Sequence, residues 1–320
     1  MKKIIESARD WQTHGHKVAM ATVVNVMGAA PRSPGAKLII SEDKCMMGSI
    51  SGGCVEASVL EQGLEILENK ESRMLQYGIS NDDAWSVGLN CGGSLEIFLE
   101  PLSPVLCTSL NTQLQNDRSF ALITVINPPE KQGTKMLFSE HGEVLYSSSD
   151  ADITKFAPWA LAALENDKKT QYITLDNGME FFLETHTMPP KLFVIGGVHI
   201  AIPLVRFAGE LGFKTVVVDP RAAFANGERF PDVDEICVAW PDQALLKVDP
   251  KQALYSVILS HDPKIDEPAL AHLIRAAHGG DHSLNIKYIG AIGSRTTHAA
   301  RIKRLTMQGV PEKGLKDIFA

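Results

Sequence analysis

The sequence predicts an α/β chain in two parts, an α+β domain over residues 1–188 and a doubly wound parallel-sheet domain over residues 189–320, and three observations carry that reading. Before residue 188, strand-like runs crowd together with few helical patterns between them. From Lys191 on, short apolar strands alternate with helical stretches, the signature of a Rossmann-like parallel sheet with crossover helices. Between the two lies Met188-Pro189-Pro190, and each proline disfavours helix in the residue before it, so the linker is placed there.

Within the first part, residues 4–12 read as a short helix and residues 18–26 as a strand, because β-branched residues dominate a run that closes on Gly28. Strands are expected at 37–41 and 95–100, with a helix at 56–67, where Val59, Leu60, Leu64, Ile66 and Leu67 recur at helical spacing. Strand-rich sequence follows at 120–127, 135–139 and 171–184, the last with a hairpin turn at Asn177-Gly178, and residues 151–164 supply a helix among them. In the second part, strands are expected at 192–195, 214–218, 235–239, 255–260 and 286–289, with a first crossover helix at 199–211. No internal repeat stands out.

Hydrophobic residues make up 44% and charged residues 22%, proportions of an ordinary globular protein that leave no room for long disordered tails. A net charge of -7 with scattered Lys and Arg argues against a nucleic-acid binder, which needs a basic face. The local trio Arg301, Lys303 and Arg304 reads as a solvated face near a helix C-terminus. Lys2, Lys3 and Glu6 come too early for a signal peptide, and no apolar run approaches the roughly 18 residues of a membrane span. A cytoplasmic protein with no membrane segment is therefore expected. Five irregularly spaced cysteines form neither a disulfide framework nor a Cys-x-x-Cys pair, and Cys45, Cys107 and Cys237 read as small buried hydrophobes.

Residues 192–195 lead into Gly196-Gly197-Val198-His199, and Asp219 ends the next strand, where dinucleotide-binding folds place an acid on the ribose. The glycine that would let backbone approach a pyrophosphate is here Val198, which weighs against NAD(P) and leaves a plain strand-to-helix turn as the other account. His261-Asp262 and Gly290-Ala291-Ile292-Gly293-Ser294-Arg295 follow later strands, at carboxyl ends where open α/β sheets bind ligands. In the second loop Gly293 frees backbone, Arg295 offers a bidentate contact to phosphate or carboxylate, and Ser294 suits a ligand or a bare helix cap. For His261 a local bond to backbone or to Asp262 is the plainer account. Two glycine-rich cysteine loops lie at 48–56 and 88–93. Cys54 falls at a helix start, where the dipole favours a thiolate able to hold a soft metal, form a persulfide or contact a sulfur-rich ligand. Cys91, beside Gly92, is likewise presented by backbone that a ligand can approach, and the two thiols are the candidate metal ligands.

Pro31-Arg32-Ser33-Pro34-Gly35-Ala36-Lys37, then GSISGGCVE at 48–56, then GLNCGGSLEIFLEP at 88–101 resemble, in order, the N-terminal signature of the XdhC/CoxI family. VVDPRAAFANGERFPDVDE at 217–235, ILSHDPKIDEPAL at 258–270 and YIGAIGSRTTHAARIKRL at 288–305 are similar to that family's Rossmann domain. The resemblance implies a chaperone that binds finished molybdenum cofactor (molybdopterin), shields it from oxidation and passes it to a xanthine dehydrogenase or related molybdenum hydroxylase. It also implies a cysteine desulfurase as a second partner. Arg32, Gly52, Gly53, Cys54, Cys91 and Gly92 are its cofactor-handling residues in the first domain. In the second it implies Gly196, Gly197, Asp219, Arg221, His261, Asp262, Gly293, Ser294 and Arg295, lining a cleft. Two departures stand out. The family's Gly-Ala-Gly-His turn is here Gly196-Gly197-Val198-His199, and the chain ends at Phe319-Ala320 where members continue into a Pro-Ile-Gly-Leu segment, which is expected to open one wall of the cleft. Two alternatives stay open: an NAD(P)-dependent oxidoreductase with His261 as acid-base residue, and a sulfurtransferase carrying a persulfide on Cys54 or Cys91. A homodimer is expected because such dimers are common.

Overall fold

Strand β1 (Val18–Met27) alternates its side chains between two cores, Ala19, Ala21 and Val23 facing one and Met20 and Val24 facing the other. That alternation builds a sandwich. The computed structural model describes residues 1–78, 93–149, 153–166, 168–278 and 283–320, in two units, Met1–Thr187 and Met188–Ala320. The first unit runs α1 (Lys2–Thr13), β1, β2 (Lys37–Ser41), β3 (Met46–Gly48), α2 (Glu56–Asn69), β4 (Arg73–Tyr77) and β5 (Ser94–Pro101). It continues through α3 (Pro104–Gln115), β6 (Phe120–Asn127), β7 (Lys135–Ser139), β8 (Val144–Ser147), α4 (Ala157–Glu165), β9 (Thr170–Thr174) and β10 (Glu180–His186).

These are one motif used twice, contrary to the sequence expectation. The two sheets are ordered β3-β2-β1-β5-β4 and β8-β7-β6-β10-β9. Their registers correspond: Thr22 lies opposite Lys37 and Phe98, and Thr124 lies opposite Lys135 and Phe182. The repeat is also written in the sequence, as AMATVVN at 19–25 against ALITVIN at 121–127, P-x-x-x-G-x-K at 31–37 against 129–135, and LEIFLE at 95–100 against MEFFLE at 179–184. Unequal spacing hides it, since the β4–β5 connection at 78–93 answers to only 175–179 in the second copy.

Helix α2 covers the outer face of the first sheet through Val59, Ile66 and Leu67, and α4 covers that of the second through Ala160 and Ala163. Between the sheets, Val24 and Phe98 pack with their counterparts Ile126 and Phe182. Two ion pairs cross the same interface, Lys37 to Glu184 at 2.7 Å and Lys135 to Glu100 at 2.6 Å. Each ammonium also donates to a threonine of its own sheet, Lys37 to Thr22 at 3.1 Å and Lys135 to Thr124 at 2.7 Å. All four charged side chains are buried, and burial pushes the Lys37 ammonium pKa down and the Glu100 carboxyl up. Neither charge is tolerable there without its partner.

The second unit contains β11 (Lys191–Ile195), α5 (Ala201–Glu210), β12 (Lys214–Val218), β13 (Glu235–Cys237), α6 (Pro241–Leu245) and β14 (Leu254–Ile258). It ends with α7 (Pro263–Ala277), β15 (Ile286–Ala291), α8 (Arg295–Met307), α9 (Glu312–Leu315) and β16 (Ile318–Phe319). Its parallel sheet is ordered β13-β12-β11-β14-β15-β16, the doubly wound arrangement, so the order of strand addition reverses at the switch point between β11 and β14. Apolar strand residues alternate between α5 on one face, met by Val194 and Val217, and α7 on the other, met by Ile195 and Val218.

Two expectations are corrected. Arg301 is no solvated residue: it is 2% exposed, donates to the Ile292 carbonyl at 3.0 Å and faces Asp266 at 3.5 Å, because its position on α8 turns it toward α7. Arg304 pairs with Glu267 of α7. Cys45 is exposed between β2 and β3, whereas Cys107 is buried against the Ile5 carbonyl, and burial pushes its thiol up to about 11. Among the described residues no helix is long and apolar enough to cross a membrane.

Replacing Lys37 by Met strands the Glu184 carboxylate and is expected to cost about 3–5 kcal/mol of stability. The double variant Lys37→Met/Glu184→Leu is expected to return to within about 1 kcal/mol of the wild type, since a packed apolar pair needs no charge partner. Urea unfolding of both variants checks the ordering.

Candidate functional site

The connection between β3 and α2 is shaped around a single carboxylate. Glu56, which opens α2, accepts from the Ser49 hydroxyl (3.1 Å) and from the backbone N–H groups of Ile50 (3.2 Å), Ser51 (2.9 Å) and Gly53 (2.9 Å), and pairs with the Ser51 hydroxyl. Burial pushes this carboxyl up, but the Ser51 hydroxyl and the N–H groups of Ser51, Glu56 and Ile50 outweigh it and hold the pKa at about 2. Ile50 and Val55 anchor the loop in the core beside α2. Sequence reasoning missed Glu56, although an acid at the start of an expected helix stands where the helix dipole favours negative charge.

Gly52 (φ +76°) and Gly53 (φ +112°) are required by backbone conformation and not by crowding. Among the described residues, a Cβ on Gly53 would meet nothing within 4 Å, and one on Gly52 would meet only Pro31 at 3.8 Å. No described residue covers the surface over these glycines. Cys54 is half-buried and stands just ahead of Val55, the residue that caps α2. Arg32 donates through Nε to the Ser49 carbonyl at 3.2 Å, joining the β1–β2 connection to this loop. Gly93 lies so close to the start of that connection that a Cβ there would stand 2.2 Å from the Ala29 carbonyl. The three segments bearing the sequence motifs thus meet at one end of the first sheet. Cys91 and Gly92 lie outside the described residues, and among those described no group of three His, Cys, Asp or Glu is placed to hold a metal.

At the carboxyl edge of the parallel sheet, Gly196 and Gly197 are glycines because backbone packs against them: added Cβ atoms would stand 2.7 Å from the Ser260 nitrogen and 2.3 Å from the Phe224 carbonyl. The Gly197 N–H donates to Asp219 at 3.0 Å. Buried Asp219 also accepts from the Arg221 backbone (2.9 Å), Nε (2.8 Å) and Nη2 (2.8 Å). Burial raises this carboxyl's pKa, and the Arg221 and Gly197 donors more than reverse it. The acid and the loop N–H that a dinucleotide would use are therefore bonded to the protein itself. Arg221 stacks on Phe224, its guanidinium carbon 4.0 Å from the ring centre, and Arg229, unnoticed in the sequence, donates to the Gly197 carbonyl at 3.0 Å. Val198 packs into the apolar cluster under α5.

On the other side of the switch point, His261 is exposed with left-handed backbone (φ 61°). Asp262 bonds not to His261 but to the Lys264 N–H at 2.9 Å, capping α7. Ser294 caps α8 through the Thr297 N–H at 3.1 Å, Arg295 is exposed in its first turn, and Arg301 holds the Gly293 loop from below through the Ile292 carbonyl. The geometry thus gathers the second-unit candidates along one edge and gives Asp219, Asp262 and Ser294 structural partners.

Comparison with known proteins covers both units. Residues 192–320 match the family model described as the XdhC Rossmann domain, and residues 11–78 match that described as the XdhC and CoxI family. Over 297 residues the chain is 25% identical to a Bacillus subtilis protein named as a probable xanthine dehydrogenase subunit, spanning 90% of this chain and 82% of that one. It is 31% identical over 101 residues to the Escherichia coli molybdenum cofactor insertion chaperone PaoD, spanning 32% of this chain and 31% of the relative. A crystal structure from Bacillus halodurans described as a xanthine dehydrogenase shares the fold, with a TM-score of 0.73 at 22% identity, covering 99% of this chain and 87% of that one.

Because the Glu56 carboxyl is held at about 2, its contribution is present above the ordinary carboxylate pKa and is lost as pH falls through about 2. Protection of the Ser51 and Gly53 amides against hydrogen exchange is therefore expected to hold from neutral pH to about pH 4. Glu56→Gln, which removes charge-assisted bonds of about 1.5–3 kcal/mol, is expected to cut that protection about tenfold to a hundredfold.

Proposed function

This chain belongs to the XdhC and CoxI family, and on that premise we propose that it is an accessory protein that carries molybdenum cofactor as cargo to a xanthine dehydrogenase or related hydroxylase. The observation that carries the reading is the Cys54 loop: a half-exposed thiol beside glycines that no described residue covers, framed by Arg32 and by the Gly93 end of the second cysteine motif. A thiol suits a soft metal centre, and Arg32 suits an anionic group on the same ligand. The loop N–H groups answer to Glu56, so charge on the cargo must be met by side chains. The names of two relatives, one a molybdenum cofactor insertion chaperone and the other part of a xanthine dehydrogenase, point the same way. Sulfuration of the cargo, with a cysteine desulfurase as sulfur source, is a finer step consistent with a thiol at this position.

An NAD(P)-dependent oxidoreductase built on His261 fits less well, since the Gly197 N–H and the Asp219 carboxylate are already bonded within the protein. Reduced nicotinamide cofactor at millimolar concentration is expected to show no fluorescence enhancement with the protein or with Val198→Gly. Enhancement in either would favour the oxidoreductase.

The deciding experiment supplies cofactor anaerobically from a donor enzyme and counts molybdenum and pterin retained per chain after gel filtration. Near-stoichiometric retention is expected, falling at least about tenfold in Cys54→Ala and in Cys91→Ala with an unchanged urea midpoint. Retention unaltered in both variants would overturn the thiol-based reading.

A further inference from the structure

The duplication in the first unit supplies an internal comparison, because each repeat relation brings with it a second, equivalent seam between the sheets. At the buried level the seams match. Gly35 donates to the Val23 carbonyl at 2.8 Å and Gly133 to that of Val125 at 2.9 Å, so the residues before Lys37 and Lys135 correspond one for one. Ala19 pairs with Pro101 as Ala121 pairs with Thr185, and Arg73 pairs with Leu99 as Gln171 pairs with Leu183. These registers make Arg32 equivalent to Glu130, Lys169 to Glu71 and His186 to Leu102.

At their mouths the seams therefore differ in charge at two of these positions and in polarity at the third, where an imidazole stands in place of an apolar side chain. The seam over the Lys37–Glu184 pair opens into a cavity of about 260 Å³ lined by Arg32, Lys169, Thr170 and His186. Its counterpart carries two exposed acids and the buried Leu102 instead. Glu184 contributes no free negative charge, since Lys37 neutralises it at 2.7 Å. His186 stacks on Phe120, ring centres 5.1 Å apart, which fixes the imidazole in the wall. Among the described residues Arg32 engages Ser49 alone, through Nε, which leaves the two amino groups of its fork for another partner. Replacement of two acids and an apolar residue by two cations and an imidazole, on one seam alone, is what an anionic ligand requires.

We propose that this seam binds a phosphate monoester through Arg32, Lys169 and His186, and that Arg32 joins this anion pocket to the Cys54 loop. The site deepens the cargo reading by naming the part of the ligand it takes, and the link to cargo rests on that reading. Binding of phosphate itself does not.

The test titrates inorganic phosphate, then glycerol phosphate, into the full chain while the His186 imidazole resonance is followed by NMR. A saturable shift is expected, weakened at least about tenfold in Arg32→Glu/Lys169→Glu, which recreates the charges of the other seam with exposed residues and is expected to keep the urea midpoint. No saturable shift, or the same affinity in the double variant, would overturn the proposal. Cys54→Ala is expected to bind phosphate normally, so failure of the thiol reading leaves this result standing. Cofactor retention in the double variant then separates the sources: a parallel loss assigns the pocket to the cargo's phosphate, and intact retention assigns it to a free organic phosphate.

Discussion

Two crossed ion pairs, Lys37 with Glu184 and Lys135 with Glu100, constrain the first unit more tightly than any apolar contact in it. Hydrophobic packing accepts many registers, whereas a buried ammonium accepts only one in which a carboxylate faces it. Because each pair joins a strand of one sheet to a strand of the other, sliding either sheet by one residue would strand four charges at once. Because Lys37 and Lys135 are the first residues of β2 and β7, the pairs thereby fix where those strands begin, and with them the ends of the loops before them.

Once the two copies are held in equivalent positions, their differences become informative. Strands, buried pairs and the Val24, Phe98, Ile126 and Phe182 cluster are kept in both. The connections are not: the first copy has the glycine-rich cysteine loop and the long 78–93 segment, where the second has a sequence without glycine or cysteine at 148–156 and a tight turn at 175–179. One copy acts as scaffold and the other bears the elaborated loops, the usual division between rigid framework and functional connections.

Much of this was legible in the sequence. The strand at 18–26, the helix at 56–67 and the alternation after Lys191 follow from periodicity, and the structure reproduces them to within a residue or two at most ends. Arg301 was misread because helical spacing says that residues share a face without saying what that face meets. The duplication was overlooked because its blocks match in short stretches separated by loops of unequal length, and the pairing of Lys37 with Glu184, far along the chain, has no local trace. Glu56 shows the same limit at close range: its position marks a helix start, but only the fold shows five donors converging on it.

That convergence bears on what happens after a ligand leaves. A loop moulded by its ligand collapses when emptied and must be ordered anew at each encounter, so part of every binding event goes into conformational entropy. The Cys54 loop carries its own acceptor in Glu56, whose bonds to Ser49, Ile50, Ser51 and Gly53 hold its shape with no guest present. A loop held in this way needs little reorganisation either to take up a ligand or to release one.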